Sequence, residues 1–243
     1  FIRESETVKM TSMKNEEKKI QSSVNATLVV KTDNILGECP LWSGNEVLWV
    51  DIDGKKFWAC VVRCVFSNRG NLHCSDQYRY CPETERIRTY LLPERPGSFA
   101  MTSDDRLIFA FEKGLAYFEP GNPSSLERIA DFELDIEGTR MNDGRVDPFG
   151  RFLVGGYHSD PEKCVSSMYM LYSKDDTLRV ERVFPNIGCM NSICFSHEKD
   201  LSRTKMYFTD SRWDPPKICV VEDYGKTGQI HDKTPFAQWE SDG

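Results

Sequence analysis

The chain has 243 residues, enough to bury a sizeable core, with 31 Lys plus Arg against 38 Asp plus Glu and a net charge of -7. An acidic chain with no basic stripe would repel phosphates, which excludes a nucleic-acid partner, and no apolar run approaches the roughly 20 residues that cross a bilayer, which excludes a membrane span. Neither balance opposes a bound cation.

Residues 1–24 are polar and charged without an apolar signal region, and read as a disordered tail. The propeller-like texture described below is expected over 25–243. It opens with the β-type run T-L-V-V-K-T, then G-E-C-P-L-W, a turn at Ser43-Gly44-Asn45 and a strand over 47–52 ending at Asp51-Ile52-Asp53-Gly54. The segment 60–77 breaks the rhythm, with three cysteines and no clean period. It is either a long surface loop or an insertion foreign to the fold.

Beyond it, turn residues and short apolar runs alternate. Ser103-Asp104-Asp105 precedes L-I-F-A-F, Glu112-Lys113-Gly114 precedes L-A-Y-F, and Pro148-Phe149-Gly150 precedes R-F-L-V-G-G. S-M-Y-M-L-Y follows, then Ser202-Arg203-Thr204 before K-M-Y-F-T-D and Pro215-Pro216 before K-I-C-V-V. No long stretch shows a 3.6-residue period, so the expectation is an all-β chain. Strands starting near Val47, Leu107, Phe152 and Met206 are spaced by roughly 45 to 60 residues, near or above one four-stranded blade, which favours a β-propeller over a sandwich.

The nine cysteines include no C-x-x-C, and a zinc site drawn from Cys60, Cys64, His73 and Cys74 fits no standard spacing. Buried, reduced thiols in a cytoplasmic protein are expected instead. There is no nucleophile elbow, no phosphate loop and no EF-hand ligand order.

Four polar points stand at strand entries: Glu38, the pair Arg140 and Asn142, Asn191, and Asp242. Each has a plain reading. Glu38 can be a loop acid, Asn191 a turn cap and Asp242-Gly243 a hairpin turn. Asn142-Asp143-Gly144 and Asp147-Pro148-Phe149-Gly150 can be two turns leading into a strand. As a set at matching places in successive repeats they favour function. Innermost strands of a propeller gather at a central channel, where Glu, Asn and Asp offer hard oxygen ligands suited to Ca²⁺ or Mg²⁺, with Mn²⁺ or Zn²⁺ also able to occupy such a set.

The motifs L-G-E-C-P-L-W…L-W-V-D-I, R-M-N-D-G-R-V-D-P-F-G-R-F, N-S-I-C-F-S and M-Y-F-T-D-S resemble those of the senescence-marker-protein, regucalcin and gluconolactonase family, in the same order from about Leu36 onward. The resemblance implies a six-bladed propeller, about four blades of it in this chain, with one divalent cation, calcium first, in the channel. It implies metal ligands at Glu38, Asn191 and Asp242, the last also the catalytic base, although the family's P-D-G is S-D-G here. Substrate contacts fall on Arg140 and Asn142, with a further acid near Asp160 in animal members. The implied activity is metal-dependent hydrolysis of sugar-acid lactones, a small-molecule substrate; the alternative is a non-catalytic calcium-binding regulator of the regucalcin type. Members continue for roughly two more blades, so the resemblance reads the chain as a C-terminally truncated, unclosed propeller.

Overall fold

In the computed structural model of the chain, described over residues 30–44, 46–61 and 87–238, the strands form four antiparallel sheets of four strands each. The first holds β1 (Gly37–Ser43), β2 (Glu46–Asp51), β3 (Lys56–Val61) and β4 (Ile87–Leu91). The second holds β5 (Pro96–Met101), β6 (Leu107–Phe111), β7 (Gly114–Tyr117) and β8 (Glu127–Asp131). The third holds β9 (Thr139–Val146), β10 (Phe152–His158), β11 (Ser166–Lys174) and β12 (Thr177–Ile187), and the fourth β13 (Met190–Phe195), β14 (Met206–Asp210), β15 (Lys217–Val221) and β16 (Thr234–Gln238). Each sheet runs in chain order from its first strand to its fourth, which is the meander of a propeller blade. The described residues form four blades, and the one α-helix among them is the single turn α1 (Tyr224–Thr227).

Burial explains why these runs are strands. Four of the five residues of β6, L-I-F-A-F, are buried, because a middle strand is covered on both faces by neighbouring blades. The fourth strands β4, β8 and β16 hold only exposed and half-buried residues, which suits an outer edge. The first strands β1, β5, β9 and β13 come into contact with one another across the blades.

The core lies between blades. Phe57, Phe99, Phe109, Phe111 and Phe118 join the first two; Met141, Phe152, Val154 and Leu171 meet Ile108 and Leu115 between the second and third; Met168, Met190, Met206, Phe208 and Tyr224 join the third and fourth. Phe109 is fully buried, with ring centroids of Phe57, Phe99, Phe111 and Phe118 between 5.4 and 6.2 Å away. Phe109→Ala is therefore expected to lower the unfolding free energy by about 3–5 kcal/mol in a denaturant titration.

Asn142-Asp143-Gly144 is not a turn but the middle of β9, where the ladder to β10 shifts register. Local turn preference yields there because both side chains find partners in the fourth blade: Asn142 Nδ2 donates to Met190 O at 2.8 Å and Asp143 Oδ2 accepts from Ile193 N at 3.1 Å. Gly144 is required by space, since a Cβ would stand 2.4 Å from Ser98 Oγ. The second turn is as expected: Asp147 Oδ1 accepts from Phe149 N and Arg151 N, Gly150 has φ 77, and Tyr224 OH donates to Asp147 Oδ2 at 2.7 Å. The run T-L-V-V-K-T is not strand over its described residues 30–32. The tail over 1–24 and most of the segment 60–77 lie outside the described residues; Cys60 and Val61 close β3.

Candidate active site

Two buried aspartates at the ends of second strands prepare the site. Asp51, closing β2, accepts from Leu36 N at 2.9 Å, Ile35 N at 3.1 Å and Gly54 N at 3.1 Å. Asp210, closing β14, accepts from Gly188 N at 2.7 Å, Cys189 N at 2.8 Å and Arg212 N at 3.0 Å. Each carboxylate ties the segment entering a first strand to the strand beside it, in charge-assisted hydrogen bonds. Glu38 and Asn191 follow directly.

Those two residues hold the same place in blades one and four. Gly37 pairs with Asp51 and Glu38 with Val50; Met190 pairs with Asp210 and Asn191 with Thr209. Immediately afterwards both ladders slip, between Glu38 and Leu41 and between Asn191 and Cys194. Cys39 at φ 54 and Ser192 at φ 59 take the left-handed conformation that such residues rarely adopt. A bulge re-aims the side chains beside it, and finding the same strained bulge twice marks the two positions as equivalent.

The third blade supplies the bridge. Arg140 pairs with Tyr157 across β9 and β10, and its guanidinium lies 4.2 Å from that ring's centroid. Arg140 Nη1 donates to Met141 O at 3.0 Å and Asn142 Oδ1 at 2.7 Å. Asn142 Nδ2 in turn donates to Asn191 Oδ1 at 3.1 Å, and Asn191 Nδ2 donates to Ser211 Oγ at 2.8 Å. Arg140, Asn142 and Asn191 thus form one hydrogen-bonded chain, with Arg140 and Asn142 buried. Burial, and then the charge of Arg95, pull the Arg140 guanidinium down from its usual value, opposed by Asp53.

Glu38 joins through the field. Burial, then the charge of Asp143, push its carboxyl above the ordinary range, and Arg140 opposes them. The Asp143 carboxyl is raised by burial, against hydrogen bonds from Ile193 N and Gly144 N. A carboxyl whose value is raised by folding holds its proton more tightly in the folded state. The cost of its charge is present above the raised value and fades as pH falls towards the ordinary carboxylate range. Comparison of Asp143→Asn with the unaltered protein in denaturant titrations should show the stability difference moving in favour of the unaltered protein as pH falls through that window.

Of the residues singled out from the sequence, the structure brings Arg140, Asn142 and Asn191 into contact and sets Glu38 within electrostatic reach of Arg140; Asp242 lies outside the described residues. Asp160 is engaged in its own loop: its N–H donates to His158 Nδ1 at 2.9 Å and its Oδ1 accepts from Glu162 N at 3.0 Å. Asp143, Tyr157, Asp51 and Asp210 were not anticipated; the repeated pattern of L-W-V-D and Y-F-T-D was the available signal for the last two.

Among the described residues no group of three or more His, Cys, Asp or Glu side chains stands close enough to hold a metal ion. The donors present nonetheless fit a hard cation. They are a Glu38 carboxyl raised by burial and then by Asp143, and an Asn191 amide oxygen, with no sulfur or imidazole required. No helix among the described residues is long and apolar enough to cross a membrane.

Four-stranded meanders whose first strands come together define a β-propeller, with polar side chains of the third and fourth blades joined by hydrogen bonds and Glu38 of the first within electrostatic reach. Residues 36–243 match the SMP-30/gluconolactonase/LRE-like region, and the chain belongs to that family. It is 30% identical over 225 residues to an L-arabinolactonase of Azospirillum brasilense, covering 90% of this chain and 64% of that protein. It is 34% identical over 134 residues to a 6-deoxy-6-sulfogluconolactonase of Pseudomonas putida, covering 54% of this chain and 40% of that one. The solved structure of the calcium-binding protein regucalcin from Agrobacterium tumefaciens superposes with a TM-score of 0.64 at 24% identity, over 86% of this chain and 61% of that chain. The chain spans less than two thirds of the length of each.

Proposed function

We propose that the whole protein hydrolyses sugar-acid lactones with the help of one divalent cation, calcium first, held by Glu38, Asn191 and Asp242. The observation that carries this reading is the pair of equivalent strained bulges that present Glu38 and Asn191, joined through Asn142 to Arg140. Relatives named as lactonases support it. When bound, the cation supplies Lewis-acid polarisation of the lactone carbonyl. Asn142 is fixed at both ends of its amide, and Arg140 is fixed by Tyr157 and Asn142, so both orient sugar hydroxyls or the ring oxygen without reorganising. Asp242 takes a proton from water as the water oxygen attacks the carbonyl carbon; the ring C–O bond breaks and the released alkoxide is protonated to the hydroxy acid. Glu38, with its raised carboxyl, gains most from a neighbouring positive charge.

Of the six cysteines among the described residues, only Cys60 and Cys219 are buried and Cys164 and Cys194 are exposed, against the expectation of buried thiols. The test is a panel of aldonolactones assayed with and without a chelator. Hydrolysis lost on chelation and restored by calcium supports the reading. Calcium binding with no turnover on any lactone points to the second reading, a non-catalytic calcium-binding regulator.

A further inference from the structure

Two guanidiniums approach the ring of Tyr157, Arg140 at 4.2 Å and Arg212 at 5.7 Å from its centroid. The backbone holds all three together. Arg140 is the cross-strand partner of Tyr157, Tyr157 bridges to Cys189, and Arg212 N is tied to the same Asp210 carboxylate that holds Cys189 N. The Cys189 sulfur, which accepts from Asn191 Nδ2 at 3.4 Å, lies within the field of both guanidiniums. The stem of Arg212 lies over Gly188, where a Cβ would stand 2.4 Å from its Cγ, so the absence of a side chain there admits it. The Arg212 Nε atom is buried and has no hydrogen-bond partner among the described residues.

The nearby acids do not pair with these two guanidiniums. Glu112 takes Arg95 in a two-pronged pair at 2.9 and 2.7 Å, Asp53 stands 3.8 Å from Arg95, and the Asp210 oxygens accept three backbone N–H groups. Among the described residues, neither Arg140 nor Arg212 has a carboxylate within ion-pairing distance. Two buried or half-buried guanidiniums facing one aromatic ring, with Arg95 adding its field, form a receptor for a planar oxyanion, the group that a guanidinium fork matches. Glu38 and Asp143 form a separate acidic pair, within the field of Arg140.

We infer that the ligand of this site carries an anionic substituent remote from its ester, a second carboxylate, gripped by Arg212 together with Arg140 across Tyr157. This rests on the sugar-lactone reading above and narrows it to lactones of diacids.

The test uses the whole, metal-supplemented protein with D-gluconolactone and its counterpart ending in a carboxylate, D-glucarolactone. The expected result is a higher kcat/KM on glucarolactone. Arg212→Met should lower the ratio of glucarolactone to gluconolactone by roughly tenfold, the scale of one lost charge-assisted pair, and Arg212→Lys should restore it in part. Calorimetric titration with D-glucarate and D-gluconate gives a second readout that needs no turnover. Tighter binding of glucarate, lost in Arg212→Met, supports the inference even if neither lactone is hydrolysed, a result that would remove only the lactonase reading. Equal affinity for the two acids, or a ratio unmoved by Arg212→Met, overturns it.

Discussion

Asn191→Ala is expected to lower metal-dependent lactone hydrolysis by the whole protein on the order of 10²–10³ in kcat/KM, the scale seen when a fixed electrostatic element is removed from a reacting centre. The residue stands between two functions. Its Oδ1 accepts from Asn142 Nδ2, and its Nδ2 donates to Ser211 Oγ. Alanine removes the proposed metal ligand and one of the two acceptors of Asn142 Nδ2, leaving Met190 O, while Asn142 Oδ1 still accepts from Arg140. Metal affinity and substrate orientation should fall together. The side chain is only half-buried and belongs to no apolar cluster, so thermal stability should change little. Asn191→Asp separates the roles: it keeps hard oxygens but cannot donate to Ser211, so it should bind the cation and recover part of the activity. Full activity with unchanged calcium affinity in Asn191→Ala would end the assignment of Asn191 as a ligand.

The blades were legible because their strands carry the period and the turns in a local pattern. L-I-F-A-F, K-M-Y-F-T-D and K-I-C-V-V became β6, β14 and β15. The Asp147 turn was legible for the same reason: Asp147 caps its own neighbours Phe149 and Arg151. Asn142-Asp143-Gly144 misled, because its partners, Met190 and Ile193, belong to another blade. The same limit hid Arg212 and Tyr157, which meet Arg140 only once blades three and four pack together. Glu38 and Asn191 could be picked out as a set from recurrence, but what makes them equivalent is backbone strain at Cys39 and Ser192, two residue types with no sequence preference for it. Asp51 and Asp210 ended apolar runs in both motifs, yet their role lies in the N–H groups they collect from segments that arrive from elsewhere in the chain.

Asp210→Ala is expected to damage both fold and site. The carboxylate is 2% exposed and takes three backbone N–H groups, from Gly188, Cys189 and Arg212. Alanine leaves all three without their acceptor, and removing one partner of a buried, charged network costs about 3–5 kcal/mol. Asn restores at most one amide oxygen, so Asp210→Asn should fall between alanine and the unaltered protein in a denaturant titration. The loss should be local before it is global. The Gly188 and Cys189 amides, protected by Asp210, should exchange hydrogen faster than amides in the β6 interior, where packing rather than this carboxylate sets protection. Because Cys189 and Met190 lead directly into Asn191, and Met190 O anchors Asn142, loosening this segment should weaken calcium binding as well. That coupling separates the two aspartate-dependent effects from Asn191→Ala, which should weaken the metal without loosening the amides. An Asp210→Ala protein with unaltered stability and unaltered exchange at Gly188 and Cys189 would mean that the β13–β14 ladder alone holds the segment, and that the carboxylate is not what delivers Asn191 to the site.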